Sequence, residues 1–251
     1  MSDIRDPLWE GSGEDADAAF VEVAERAVEV VLATAPDDAT WLGDHRFDDR
    51  LPDLSDAGRA ATLDAVHGLL ADVDALDDLA LGHENAVDLE ILRSRLSASA
   101  FELADLRTPT WDPMVWNPGN AAYLLLAREV APLGQRLDAL AGRLSAVPGF
   151  LADARATLTS MPAVHVETAI GQLQGTIGLL GSEVDAALAR LADDADAGLV
   201  DPAVVSGARD RAVDALHEHL AWLTEALPAA DRDPRLGAEL YAAALWHTLD
   251  E

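Results

Sequence analysis

The chain has 251 residues, with 46 acidic side chains against 17 basic ones and a formal charge of −29. It contains no lysine, half of its residues are apolar and its mean hydropathy is +0.06, too much buriable surface for a disordered acidic tail. The clustered Lys/Arg that hold a phosphate backbone are missing, which excludes nucleic acid and an anionic membrane surface as expected partners.

A chain of this length buries roughly 70–75% of its unfolded surface. There is no cysteine, and with it go disulfides, thiolate metal sites and cysteine nucleophiles. The opening MSDIRDPLWEGSGEDAD lacks the basic and apolar regions of a signal peptide, and no run of about 18 apolar residues offers a membrane span. A soluble, cytoplasmic protein is expected. The acidity fits a GC-rich genome first and adaptation to high salt second.

Residues 1–16 read as an extended or disordered N-terminus, and 17–251 as one helical domain. From Asp17 to Ala35 the apolar positions Phe20, Val23, Ala27, Val30 and Val31 recur at steps of three and four, one face of an amphipathic helix. Pro36 stops it, and residues 36–55 read as turns. Ser55 stands where an N-cap belongs, ahead of Leu63, Val66, Leu69, Leu70, Val73 and Leu76. A third helix is predicted from Asn85 to Leu106. The segment RTPTWDPMVWNPGN (107–120) is irregular, and its tryptophans, with Trp41 and Phe47, suit structured loops better than a linker.

Beyond it the period predicts a short helix from Asn120, helices at Pro132–Ala146 and Pro148–Thr159, and a break at Met161-Pro162. A long helix over Ala163–Asp193, another over Asp201–Leu227 and a last one from Pro234 to the end complete the pattern. No stretch alternates as a half-buried strand does. The fold class is therefore all-α, with eight or nine helices. In the long helix Gly171, Gly175 and Gly178 share a stripe with Gly181 at its edge, predicting a face that another backbone or a ligand approaches, tight helix packing being the ordinary use.

Histidines are the obvious candidates for acid–base or metal work. His217-Glu218-His219 looks like a zinc motif, but residues two apart on a helix differ by about 200°, so the two rings cannot share a metal. They read as surface or flank residues beside a core stripe of Leu216, Leu220, Leu223 and Leu227. His83, Glu84 and Asp88 fit a solvated first helical turn better than a cation site. His45, in GDHRFDD, fits an ion-pair cluster, with catalysis from that loop as the rival. The nucleophile elbow, the phosphate-binding loop, the dinucleotide fingerprint and the calcium loop are all absent. No catalytic, cofactor-binding or metal residue is assigned.

The order Ala39-Thr40-Trp41-Leu42-Gly43, Arg46-Phe47-Asp48, Leu51-Pro52-Asp53-Leu54-Ser55 resembles the N-terminal signature of the bacterial domain of unknown function 885. Val87-Asp88-Leu89-Glu90, Trp116-Asn117-Pro118, Val147-Pro148-Gly149-Phe150-Leu151 and Leu236-Gly237-Ala238-Glu239-Leu240-Tyr241 continue the likeness over roughly 17–250. The resemblance implies a helical zinc-metallopeptidase-like protein about twice as long. Its zinc motif would follow the segment Gly237-Ala238-Glu239-Leu240-Tyr241, after which this chain has ten residues. It thus implies a non-catalytic N-terminal half, zinc only in a C-terminal half, and a partner packing on the last helices. The alternative is a stand-alone helical binding protein.

Overall fold

The structure, a computed structural model, describes residues 7–191 and 200–249. Among the described residues there are nine α-helices and no strand, the all-α class expected. They are α1 (Pro7–Thr34), α2 (Pro36–Leu42), α3 (Asp56–Asp74), α4 (His83–Phe101), α5 (Gly119–Ala127), α6 (Leu133–Thr157), α7 (Ala163–Leu191), α8 (Pro202–Ala226) and α9 (Ala238–Leu249). Within this helical fold the chain groups into two compact units. The first is Met1–Val31, Arg59–Arg107 and Leu236–Glu251, and the second Leu32–Gly58 with Thr108–Arg235. Each has its own apolar cluster, which is the physical basis of the division.

In the first unit, Phe20, Val23 and Ala27 of α1 meet Val66, Leu69 and Val73 of α3 and Leu89 and Leu96 of α4. These are the three- and four-residue stripes legible in the sequence. Helix α1 begins at Pro7, so residues 7–16, read as extended or disordered, continue it; 1–6 lie outside the described residues. Asp17 Oδ1 accepts the Gly82 N–H at 2.9 Å, where α4 begins. Side-chain and backbone hydrogen bonds, from Asn85 and Gly82, hold that carboxyl below its usual range. Helix α4 ends in a π turn over Glu102–Leu106 and closes at Arg107, the one described non-glycine residue with positive φ (51°).

The second unit is built on α6, α7 and α8, with α8 lying along both others. Helix α6 corrects the prediction of two helices split at Pro148. Pro148 lies inside it, where the missing N–H and the ring clash cost about 3 kcal/mol. Leu144 and Val147 before the proline, and Phe150, Leu151 and Ala154 after it, all enter one core, and their burial holds the helix through. Helix α5 is short and nearly all apolar, with Ala121, Ala122, Leu124, Leu125 and Leu126 buried. Ser55 accepts the Gly58 N–H at 3.1 Å, the cap foreseen for α3, whereas residues 36–42, read as turns, form α2. Helix α9 starts four residues later than predicted, because Gly237 (φ 81°) sets its entry. Ala192 and Asp193 of the predicted long helix, and the chain's last two residues, lie outside the described residues.

Candidate functional site

The densest polar constellation lies in the second unit, around the loop that joins α2 to α3. Gly43, with φ 94°, ends α2 in the left-handed conformation that glycine adopts without strain. Asp44 then accepts the Arg46 N–H at 3.1 Å and starts a 3₁₀ turn over His45–Phe47. This brings His45 Nδ1 within 2.9 Å of Asp48 Oδ2. Asp48 is buried, and its Oδ1 lies 2.6 Å from the Thr40 hydroxyl. That hydroxyl is also 2.9 Å from the Pro36 carbonyl and has one proton to give.

Arg143 of α6 closes the cluster. It is 1% exposed, yet Nε donates to the Arg50 carbonyl (2.8 Å), Nη1 to Ala121 (2.8 Å), and Nη2 to Thr40 Oγ1 (3.1 Å) and Phe47 (3.4 Å). Asp37 Oδ1 stands 3.9 Å from Nη1, an ion pair without a hydrogen bond. Burial pushes the Asp37 carboxyl above the usual range, and Arg143 opposes that rise. Burial likewise lowers Arg143, against the pull of Asp37, Asp48 and Asp49. Gly142 permits the approach: a Cβ there would stand 2.9 Å from Asp49 Cβ and 3.2 Å from the Asp49 carbonyl oxygen. A carboxylate-oriented imidazole can serve proton transfer, but the other groups here are spent on holding the loop to α6. The carboxylates and guanidinium groups gathered here are those of the first reading of His45.

The Trp111–Asn120 segment is also ordered. Asp112 is buried, accepts the Met114 N–H at 3.0 Å and lies 3.3 Å from His165 Nδ1. Trp111 is tilted against the His165 ring at 5.6 Å, with the Arg232 guanidinium 4.9 Å from its centroid. Trp116 is fully buried and donates to the Pro109 carbonyl at 3.0 Å. Phe47, Trp111 and Trp116 are buried, as expected of structured loops; Trp41 is not, at 62% exposed under the Arg128 guanidinium.

His217 and His219 face opposite sides of α8, as helical geometry requires. His219 is no surface residue, however: it is fully buried, because the true core stripe is Val205, Ala208, Ala212, Leu216, His219 and Leu223. His83, Glu84 and Asp88 are exposed in the first turns of α4. The described residues contain no group of three His, Asp or Glu placed to hold a metal ion. The glycine stripe corrects another expectation. A Cβ at Gly171, Gly175, Gly178 or Gly181 would meet nothing within 4 Å, so no backbone of the described residues packs there, which overturns the tight-helix-packing use alone. Gly175 instead borders an open cleft of about 300 Å³ with Asn120, Tyr123 and Gln172. In the first unit an open groove of about 530 Å³ runs between Val87, Ile91 and Ser94 of α4 and Trp246 and His247 of α9.

Sequence reasoning missed the buried arginines Arg136 and Arg143. Arg136 donates to the Ala131, Leu125 and Leu126 carbonyls, joining α5 to the start of α6. Their signal was present: 136, 140, 143 and 147 fall at the three- and four-residue steps of an inward stripe.

The family model described as "Bacterial protein of unknown function (DUF885)" matches residues 36–251. The chain belongs to the DUF885 family. A solved structure of a "putative lipoprotein of unknown function" from Shewanella oneidensis superposes with a TM-score of 0.83 at 25% identity, over 92% of this chain. The DUF885 chain spans only 42% of that protein. No curated protein matches the sequence. Among the described residues, no helix is long and apolar enough to cross a membrane.

Proposed function

We propose that this DUF885 chain is the helical, non-catalytic portion of a metallopeptidase-like protein, and that a further polypeptide covers its α9. One observation carries this reading: the chain accounts for 42% of the longer S. oneidensis protein while α9 has no buried residue. Tyr241, Leu245, Trp246 and Leu249 are all exposed on that helix, and Val87 and Ile91 on α4. An apolar helix face of this kind is normally covered by protein. The zinc ligands and general base that the family resemblance implies belong, in this reading, to the covering polypeptide. The chain itself contributes a rigid wall, held by Arg143 and the loop it pins.

A chimera tests this. This chain would replace the matching portion of the S. oneidensis protein, and hydrogen exchange over residues 238–249 would be compared with the free chain. Slower exchange in the chimera is expected. Equal exchange in both would favour a stand-alone helical binding protein.

A further inference from the structure

The second unit holds a fully buried histidine that neither the pinned loop nor the proposed function uses. His219 lies in the stripe by which α8 packs into the core between Leu216 and Leu223, and its solvent exposure is 0%. Its ring stacks on Trp222 at 5.4 Å and 24°. Neither ring nitrogen has a hydrogen-bond partner, and the buried Nη1 of Arg155 on α6 has none either. A neutral imidazole must keep one N–H, and burying it unpaired is unfavourable. Protonating the ring would add a second unpaired donor and a charge. The elements packed against α8 are α6, α7 and the 3₁₀ turn at Leu227–Ala229. The ionised group acting on the ring from them is the Arg155 guanidinium, which repels an imidazolium. On α8 itself His217 and Glu218 are exposed while His219 is buried.

We propose that His219 is an acid-sensitive latch: the α6–α8 packing holds only while its ring is neutral, and protonation releases α8 beside Arg155. Burial first, and Arg155 second, lower the ring's pKa from 6.5 to about 4. The folded value lies below the unfolded one, so the unfolded chain takes up the proton first as acid is added. The stability held by the neutral ring is complete above about pH 6.5 and is lost as the pH falls toward about 4. Every other ionisable group is common to the two proteins, so a difference between them isolates this ring.

The test is urea unfolding of the full 251-residue chain and of His219→Phe at pH 7 and pH 5, with an NMR titration of the His219 ring in the unsubstituted protein. Phenylalanine keeps the stack on Trp222 and carries no proton. Going from pH 7 to pH 5 should raise the unfolding constant about 20-fold more in the unsubstituted chain than in His219→Phe. Arg155→Leu should narrow that gap by letting the ring's pKa rise. A folded-state titration near pH 6.5, or identical pH slopes in the two proteins, would overturn the latch. Should His219→Phe fail to fold, the ring titration decides alone.

Discussion

Helices α6 and α9 are opposites in a way their compositions do not announce. Nine of the twelve residues of α9 are apolar, yet none is buried. Helix α6 carries three arginines and an internal proline, yet 13 of its 25 residues are buried, two of those arginines included. Apolar content therefore does not decide burial; an opposing surface does. Around α6 that surface is complete, down to carbonyl oxygens from Phe47, Arg50, Ala121, Leu125 and Leu126 that receive the guanidinium N–H groups. A buried cation is tolerable when its donors are matched.

The sharpest way to break this contrast is Arg143→Ala. It strands the Arg50, Phe47 and Ala121 carbonyls and leaves the partly buried Asp37 carboxylate without its cation. A loss of about 3–5 kcal/mol in urea unfolding is expected. Next comes Gly142→Ala, whose Cβ would collide with Asp49, with an expected cost of about 1–3 kcal/mol. Gly175→Ala on α7 has the opposite sign, because its Cβ meets open space and alanine favours the helix by about 0.5–1 kcal/mol. The smallest effect belongs to α9. Leu245→Ser with Trp246→Ser should leave unfolding unchanged to within about 0.5 kcal/mol per residue in the isolated chain, since both side chains are more than a third exposed.

The helices with one inward stripe were legible: α1, α3, α4 and α7 follow the apolar steps, and Ser55 and Asp201 supply side-chain caps at the starts of α3 and α8. Pro148 misled because a proline's local penalty reads strongly in sequence, whereas the core on both sides that overrides it is tertiary. His219 misled for a related reason. A histidine beside an exposed His217 and Glu218 reads as surface, and only the rotation of α8 against α6 and α7 decides which member of the trio turns inward. The stripe of four glycines on α7 suggested a close neighbour, but glycine permits approach without requiring it. Arg143 could have been found as an arginine on an apolar stripe; its four acceptors could not, for three of them lie more than 90 positions away.

The most direct measurement is zinc content and peptide hydrolysis on one preparation of the purified 251-residue chain. If the chemistry belongs to a polypeptide that covers α9, the chain alone binds no stoichiometric zinc and hydrolyses no peptide when zinc is supplied. One tightly held zinc per chain, accompanied by zinc-dependent hydrolysis, would contradict that division of labour.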